Sequence, residues 1–136
     1  MQARKIQLKI VKKLTKEQID LAYVMIKNTY WGASKSRSDF DTQNKHTYLY
    51  CILKNKSPIG FFRVVTDGVN LIYLMGLVIE ENLRNQGIGS LALNWLKNKF
   101  PSMKILMLST KAQKFYLKND FKAINESFNY FLYQPG

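Results

Sequence analysis

Apolar and polar residues follow two periods along this chain, one typical of strands and one typical of helices. Alternating or short continuous apolar runs, bounded by turn residues, predict strands. These strands lie at about residues 6–10, 48–53, 59–66, 71–79, 105–109 and 130–133. Apolar residues three and four positions apart predict helices. These helices lie at about residues 15–28, 87–99 and 112–119, with a further short helix inside the polar segment 34–44.

The order of these elements predicts one α/β domain, of the α+β type, that covers residues 1–136. Thr15 and Gln18 form a capping-box pattern that starts the first helix. Two segments contain turn-forming residues, Lys54 to Pro58 and the pair Asp67-Gly68, so we expect an antiparallel hairpin around each of them. The helix at about 87–99 connects the fourth and fifth strands, which we expect to be parallel through a right-handed crossover.

Composition limits the setting in which this domain works. The chain has 136 residues, of which 46% are hydrophobic, so it can bury one core. Its only cysteine, Cys51, lies in an apolar stretch, which predicts a reducing compartment and an inert buried thiol. The longest apolar run, Leu71–Ile79, is too short to cross a bilayer, and the N-terminus lacks the apolar core of a secretion signal. We therefore expect a soluble cytoplasmic protein with no membrane partner and no metal site.

The formal net charge of +12 indicates an anionic partner. Nucleic acid is one such partner, and a cofactor with several phosphates is another. The basic residues are scattered over most elements, and no aromatic stripe or nucleic-acid-binding motif accompanies them. A basic nucleic-acid-binding domain is therefore the least favoured alternative. Lys111, Lys114 and Lys118 share one helix face, which is either a solvated surface or, for one of them, a contact to a phosphate.

The segment from Arg84 to Ser90 is the strongest candidate for a ligand site. It follows the strand at 71–79 and carries Gly87 and Gly89 at the start of a helix. Glycines let the backbone approach a ligand closely, and the N–H groups and positive dipole of a helix N-terminus hold phosphate. Arg84 adds a fixed positive charge with a forked set of donors. The functional interpretation is a pyrophosphate site, and the structural alternative is a tight turn that needs glycine.

Two other phosphate-binding motifs fit this segment less well. A P-loop requires Lys-Ser/Thr after its last glycine, and no such pair follows Gly89. Gly87, Gly89 and Ala92 match the spacing of a Rossmann fingerprint. However, about seven polar residues separate them from the preceding strand, and the acidic residue expected about 20 positions later is missing. The Rossmann interpretation is therefore the weaker one.

Two motifs lie at a distance that matches one known family. The first motif is Leu77-Val-Ile, followed by a polar linker and Arg84-x-x-Gly87-x-Gly89. The second motif is Ala112-x-x-Phe115-Tyr116-x-x-Asn119-Asp120-Phe121. Together they resemble the acetyl-CoA-binding region of the GNAT superfamily of N-acetyltransferases. Two further segments are similar to the corresponding segments in a bacterial group of small single-domain members of this superfamily. They are Thr29-Tyr30-Trp31 and the strand from Ile59 to Asp67. The resemblance runs from about Thr15 to Phe121 and implies the GNAT fold. That fold is a mixed, mostly antiparallel sheet of about six to seven strands, splayed between the fourth and fifth and flanked by about four helices.

The resemblance also implies acetyl-CoA as the cofactor. Its pantetheine arm would lie between the splayed strands and hydrogen-bond along the fourth strand through backbone groups of Leu77 and Ile79. A backbone N–H would face the thioester oxygen, and amides near 86–90 would hold the pyrophosphate. The residues that the resemblance gives to coenzyme A are Leu77, Val78, Ile79, Arg84, Asn85, Gln86, Gly87, Ile88, Gly89, Ser90, Ser109, Ala112 and Phe115.

By the same resemblance, Tyr116 is the candidate general acid. A phenol within hydrogen-bond reach can protonate the coenzyme A thiolate as it departs. The structural alternative is an aromatic core residue beside Phe115. The candidates for the acceptor pocket are Tyr30, Trp31, Arg63 and Tyr73. Trp31 and Tyr30 could hold an amine by cation–π contact or plug the edge of the core, and Arg63 must reach solvent or an anion.

No general base is evident in the sequence. Similar proteins usually have Asp where this chain has Gly76, and an Asp-Ala-His segment where it has Lys111-Ala112-Gln113. The carboxylates that remain as candidates for the general base are Asp67, Glu80 and Glu81, and each is more typical of a turn or loop. A water-mediated proton path is therefore the default interpretation.

The favoured function is an acetyl-CoA-dependent N-acetyltransferase. It would transfer the acetyl group directly, in a ternary complex, to a primary amine of a small molecule or protein. The departures at Gly76, Lys111 and Gln113 favour an alternative, a non-catalytic acyl-CoA-binding regulatory module. The acceptor and the oligomeric state stay open, and a homodimer is one option.

Overall fold

The computed structural model describes residues 8–109, 111–127 and 129–135, which form seven strands and four α-helices. The strands are β1 Leu8–Val11, β2 Tyr48–Lys54, β3 Ser57–Thr66, β4 Leu71–Ile79, β5 Lys104–Leu108, β6 Lys122–Ala123 and β7 Tyr130–Tyr133. The α-helices are α1 Lys16–Lys27, α2 Arg37–His46, α3 Ile88–Lys99 and α4 Gln113–Lys118. A 3₁₀ turn at Glu81–Leu83 follows β4.

The strands form one sheet in the order β1-β2-β3-β4-β5-β7-β6. Neighbouring strands are antiparallel except β4 and β5, which are parallel and joined through α3. Asn55 and Lys56, with φ angles of 50° and 72°, make the tight turn between β2 and β3. Asp67 Oδ1 accepts three backbone N–H bonds in the turn between β3 and β4. The mixed, mostly antiparallel sheet of the sequence prediction is therefore confirmed.

The pairing of β4 with β5 ends halfway along β4. Leu74 faces Met107 in the last paired position, and β5 provides no partner to the rest of β4. Met75 forms a β-bulge, because Arg63 faces Gly76 while the next residue of β3 faces Leu74. A bulge bends its strand and increases the local twist, and β4 separates from β5 at this point. The two strands are splayed, as the resemblance implies, and a gap opens in the sheet.

Helices cover both faces of the sheet. α3 and α4 pack on one face around a core that includes Leu74 and Leu96, and α1 and α2 pack on the other around Phe40 and Phe61. Cys51 is fully buried in the second core, and burial raises its pKa to about 11. The thiol therefore stays protonated at neutral pH, which confirms its prediction as an inert core residue. None of the helices in the described part of the chain combines the length and the apolar character needed to span a bilayer.

The predicted boundaries agree with the structure to within a few residues, and the differences have local causes. Thr15 and Gln18 form the predicted capping box of α1. α2 is a regular helix of 10 residues because Ser36 caps it, with Ser36 Oγ accepting a bond from Asp39 N–H. The sequence does not predict β6, since two residues show no period. Ile6, predicted in the first strand, lies outside the described residues.

Candidate active site

Two cavities meet in the gap between β4 and β5. The first, of about 610 Å³, lies between the C-terminal half of β4, the start of α3 and α4. The second, of about 480 Å³, lies between β3, β4, β5 and the segment that follows α1. The residues that line both cavities, here called the junction, are Tyr30, Trp31, Leu77, Ala112 and Tyr116. A molecule in one cavity can reach a molecule in the other at the junction.

Most of the residues predicted for coenzyme A line the first cavity. They are Leu77, Val78, Ile79, Arg84, Asn85, Gly87, Ile88, Gly89, Ser90, Ala112 and Phe115. Gln86 does not line it, and its side-chain amide donates to the Asn82 carbonyl at 3.4 Å. Ser109 lines the second cavity instead, and its Oγ accepts a bond from Ala112 N–H at 3.0 Å, just before α4. Gln86 and Ser109 therefore lie outside the first cavity.

The first turn of α3 presents backbone donors to the first cavity. Gly87 caps this helix with a φ of 81°, which glycine adopts without strain, and no side chain caps the helix. The bond from Leu91 N–H to the Gly87 carbonyl closes the first turn at 3.0 Å. The N–H groups of residues 88–90 therefore have no acceptor in the helix and form its positive end. Donors in this arrangement bind phosphate.

Gly89 lets α4 approach α3. A Cβ at Gly89 would lie 2.9 Å from Phe115 Cζ, which is closer than carbon atoms pack. The Phe115 ring therefore lies against the first turn of α3 and forms part of the cavity wall. Arg84 is exposed and also lines this cavity, and its Nε donates to the Ile79 carbonyl at 3.1 Å. This bond ties the loop before α3 to the end of β4.

Tyr116 lies at the junction with its ring held by aromatic neighbours. Its ring centroid is 4.9 Å from that of Phe115, 5.4 Å from that of Phe121 and 6.1 Å from that of Phe131. Burial, with a smaller effect of Tyr30, raises the pKa of the Tyr116 phenol well above its usual value. The phenol therefore stays protonated at neutral pH, which is the state that a proton donor requires. Packing in the core and a role at the junction are compatible for this residue.

The residues predicted for the acceptor pocket all line the second cavity. They are Tyr30, Trp31, Arg63 and Tyr73. Trp31 follows α1, where Thr29 Oγ1 donates to the Ile26 carbonyl at 2.6 Å and accepts from Gly32 N–H at 2.9 Å. The Trp31 ring lies against Gly76, where a Cβ would be 2.7 Å from Trp31 Cη2. The missing side chain at position 76 therefore leaves the space that the indole ring occupies.

Arg63 is buried, so it does not reach solvent, which was one of the two alternatives from the sequence. Its Nη1 donates to Asn44 Oδ1 at 2.8 Å and to Thr47 Oγ1 at 2.7 Å, and its Cζ lies 5.3 Å from the centroid of the Phe40 ring. Nη2 is buried and has no hydrogen-bond partner among the described residues. Burial lowers the pKa of Arg63 to about 10, so the group keeps its charge at neutral pH.

The charged side chains that line the second cavity are all cationic. They are Lys35, Arg63 and Lys111. Lys35 Nζ donates to Gln43 Oε1, and Lys111 Nζ lies 4.3 Å from the centroid of the Tyr30 ring. No carboxylate or histidine lines either cavity within the described ranges. The second cavity therefore has a positive wall.

The carboxylates considered as general bases line neither cavity. Asp67 caps the turn between β3 and β4, and the backbone N–H groups of that turn hold its pKa below the usual value. Glu80 and Glu81 are exposed after β4. In residues 8–109, 111–127 and 129–135, no group of three His, Cys, Asp or Glu side chains could hold a metal ion.

A family model described as "Acetyltransferase (GNAT) family" matches residues 16–121, which is most of the chain. The chain belongs to the GNAT acetyltransferase family. This confirms the family that the two sequence motifs resemble, and it agrees with acetyl-CoA as the cosubstrate. A comparison with curated proteins finds no match.

Solved structures of GNAT proteins share this fold at low sequence identity. A GNAT acetyltransferase from Staphylococcus aureus Mu50 aligns with a TM-score of 0.71 and 16% identity, covering 96% of this chain and 100% of that one. PaiA N-acetyltransferase from Thermoplasma acidophilum, in complex with coenzyme A, aligns with a TM-score of 0.66 and 14% identity over 94% and 99% of the two chains. An aminoglycoside 6′-N-acetyltransferase complexed with coenzyme A aligns with a TM-score of 0.75 and 13% identity, covering 96% of this chain and 97% of that one. At these identities the similarity shows the GNAT fold alone.

Sequence reasoning missed three polar residues of this GNAT site. Lys35 and Gln43 line the second cavity, and Asn28 lines the first. All three lie between the end of α1 and the start of β2, and none of them belongs to a motif that could have identified it. Lys118, one of the lysines considered for a phosphate contact, lines the first cavity.

Because the Trp31 ring lies against Gly76, we expect the Gly76→Ala variant to be less stable by about 1–3 kcal/mol, the usual cost of overpacking. In a Trp31→Ala background the same substitution should cost much less, since the clashing ring is gone. Chemical denaturation of the parent, the two single variants and the double variant measures both costs. Equal costs in the two backgrounds would show that Trp31 does not lie against position 76.

Proposed function

We propose that this protein is a cytoplasmic, acetyl-CoA-dependent N-acetyltransferase that transfers the acetyl group directly to a primary amine in a ternary complex. The observation that carries this proposal is the junction, where the two cavities meet in the gap between the splayed strands and Tyr116 lines both. A donor in the first cavity and an acceptor in the second would face each other there. Family membership and the coenzyme A bound to two structural neighbours support acetyl-CoA as the donor.

The first cavity suits coenzyme A for two independent reasons. On the side away from β3, the C-terminal half of β4 has no strand partner, so those backbone groups of residues 75–79 that point to this side are available to an extended pantetheine arm. The start of α3, which no side chain caps, presents N–H groups to the pyrophosphate. Lys118 lines the same cavity and could contact a further phosphate. When bound, acetyl-CoA would supply an acetyl group activated as a thioester.

The acceptor amine must lose a proton before it attacks, because an alkylammonium group has a pKa of about 10.4. Lys35, Arg63 and Lys111 line the second cavity, and nearby positive charges disfavour a further cation. The cavity wall therefore lowers the pKa of a bound amine and favours its neutral form. The proton can leave to water, so the mechanism does not require a carboxylate base.

Tyr116 would protonate the sulfur. Its raised pKa keeps the phenol protonated, and its place in both cavity walls would bring it beside both reactants. The departing thiolate can accept this proton as the C–S bond breaks, and the proton that the nitrogen loses as the amide forms can return to the phenolate through water, which completes the transfer. A backbone N–H from the unpaired half of β4 would stabilise the negative charge that develops on the thioester oxygen.

Direct transfer is favoured over an acetylated protein intermediate. Cys51, the only cysteine of the chain, is fully buried and lines neither cavity. Ser109 lines the second cavity, but the lining residues that the structure describes include no histidine to activate it. The attacking group is therefore the amine itself.

A non-catalytic acyl-CoA-binding regulatory module is the second candidate, and one observation favours it. Neither cavity has a carboxylate or histidine in the described part of its wall, so no conventional side-chain base is present.

Two structural neighbours are aminoglycoside 6′-acetyltransferases, whose name implies a polycationic acceptor. The positive wall of the second cavity disfavours such an acceptor in this chain.

Two measurements test the proposed function. Calorimetric titration with coenzyme A tests the first cavity, and we expect binding. Incubation with acetyl-CoA and a panel of primary amines, read by thiol release and mass spectrometry, tests transfer, and we expect one class of amine to be acetylated. Binding without acetylation of any amine would support the regulatory module. Failure to bind coenzyme A, together with steeply salt-dependent binding to DNA or RNA, would support a nucleic-acid-binding domain.

A further inference from the structure

The positive wall of the second cavity contains a cluster of three side chains, here called the basic cluster. It consists of Lys35 from the segment between α1 and α2, Gln43 from α2 and Arg63 from β3. Lys35 Nζ donates to Gln43 Oε1. Burial, followed by the positive charge of Arg63, lowers the pKa of Lys35. Two cations therefore lie close enough to repel each other inside one cavity wall.

The basic cluster lacks a bonded counter-ion. Among the described residues, Arg63 donates only to the neutral oxygens of Asn44 and Thr47, and its buried Nη2 has no acceptor there. Across the sheet Arg63 faces Gly76, which has no side chain to offer. In the described part of the chain, no carboxylate lies within 4.0 Å of Lys35 or Arg63.

One carboxylate acts on the basic cluster from a distance. Asp39 of α2 raises the pKa of Lys35, but burial and the charge of Arg63 both have larger effects in the other direction. A buried charge is costly unless a group of opposite sign pairs with it. Lys35 and Arg63 therefore carry a positive charge that the described residues do not balance. An anion from outside would balance these two cations, and Lys111 would remain as the cation of the same cavity that disfavours the charged form of the amine.

We propose that the basic cluster is an anion subsite, and that the acceptor is an amine that also carries a carboxylate or phosphate group. This inference rests on the proposed acetyltransferase function. The reacting nitrogen would lie at the junction, beside Tyr116 and the Trp31 ring. The anionic group of the same acceptor would lie at the basic cluster, in another part of the second cavity. Hydrogen bonds from a desolvated guanidinium or ammonium group to an anion are short and strong, so such a group would fix the orientation of the acceptor.

The basic cluster also has a structural alternative. Arg63 connects β3 to the end of α2 through Asn44 and Thr47, and this bridge could be its whole role. A bridge of this kind would affect the stability of the fold. It would not make the protein distinguish an anionic acceptor from a neutral acceptor of the same shape, and that distinction is what the test measures.

The test compares matched acceptors with acetyl-CoA as the donor. The probes are ω-amino carboxylates of several chain lengths, the corresponding ω-amino carboxamides, and ω-aminoalkyl phosphates. We expect kcat/KM to be at least about 10-fold higher for the best carboxylate or phosphate than for its neutral partner, as one charge-assisted contact provides. Lys35→Gln and Arg63→Gln should each bring this ratio close to one by raising KM for the anionic probe only.

Lys9→Gln is the matched control, because it removes the same charge from an exposed position on β1, away from both cavities. It should leave the ratio unchanged. If Arg63→Gln does not fold, Lys35→Gln carries the comparison, since Lys35 is only partly buried. Equal kcat/KM for anionic and neutral probes would overturn the anion subsite and leave the acetyltransferase function intact.

A second readout covers the case in which no amine is acetylated. The N-acetylated forms of the same carboxylates and carboxamides are then titrated by calorimetry into the protein saturated with coenzyme A. Tighter binding of the anionic form, lost in Lys35→Gln, would support the subsite even in a non-catalytic protein. Equal affinity for the two forms would overturn it, independently of the failure of the proposed function.

Discussion

The Tyr116→Phe variant is expected to lose about 10²-fold in kcat while its affinity for coenzyme A stays unchanged. The substitution removes only the hydroxyl group, and a Phe ring can keep the contacts with Phe115, Phe121 and Phe131. General acid catalysis provides about 10²–10⁴-fold. The lower value applies here because a thiol with a pKa of about 8.5 departs partly without help.

Steady-state kinetics gives the change in kcat, and calorimetry gives the affinity for coenzyme A. Tyr50→Phe is the matched control, because Tyr50 is also buried and packs on Phe62 with 5.0 Å between ring centroids, but it lines neither cavity. We expect this control to keep its kcat. An unchanged kcat in Tyr116→Phe would assign Tyr116 to the core alone, and equal losses in both variants would indicate damage to packing.

The raised pKa of Tyr116 also has a consequence for the pH dependence of the reaction. Burial favours the neutral phenol, so the proton donor stays intact as the pH rises through about 10, where a free tyrosine ionises. We therefore expect kcat not to fall between about pH 7 and 10, while kcat/KM rises as more of the amine is neutral. A fall of kcat with a midpoint below about pH 10 that disappears in Tyr116→Phe would contradict this expectation.

The Ser90→Glu variant should bind coenzyme A roughly 10³-fold more weakly without losing stability. Ser90 lies in the first turn of α3 and lines the first cavity. A carboxylate there interacts favourably with the helix dipole, by about 0.3–1 kcal/mol. The same carboxylate would repel the pyrophosphate, and two like charges about 4 Å apart repel by about 4 kcal/mol near a protein surface. Stability and affinity should therefore change in opposite directions.

Ser90→Gln has nearly the same size as Ser90→Glu and no charge, so it separates repulsion from steric effects. Thermal denaturation measures the stability of both variants, and calorimetry measures their affinity for coenzyme A. We expect the glutamine variant to bind much more tightly than the glutamate variant, and the difference to shrink at high salt. Equal binding by the two variants would show that the phosphates do not rest on the start of α3.

Local signals were enough to predict most elements of the fold. The run from Leu71 to Ile79 is continuously apolar and bounded by turn residues, and it is a strand with those limits in the structure. The capping box of Thr15 and Gln18 marks the start of α1 within four residues of sequence. Such features depend on neighbours along the chain, so the sequence contains them in full. The two-residue β6 has no such signal, because it exists only through its pairing with β7.

The candidate site was only partly predictable. The stretch from Arg84 to Ser90 and the pair Phe115-Tyr116 could be found because each is a compact motif with a fixed spacing. Lys35 could not be found, because its partners Gln43 and Arg63 are 8 and 28 residues away along the chain. Nor does spacing predict that the Trp31 ring lies against Gly76, since that contact joins the end of α1 to the middle of β4.

By itself, the sequence determined the order of strands and helices, the GNAT family and the segments that form the start of α3 and the candidate acid at Tyr116. These are local patterns of period, capping and motif. The tertiary structure decided that β4 leaves β5 at Met75, that two cavities meet at Tyr116, and that Arg63 is buried with no counter-ion in the described part of the chain. Each of these depends on which distant residues share a space. Burial and electrostatic pairing are properties of that space, and the linear order of residues does not contain them.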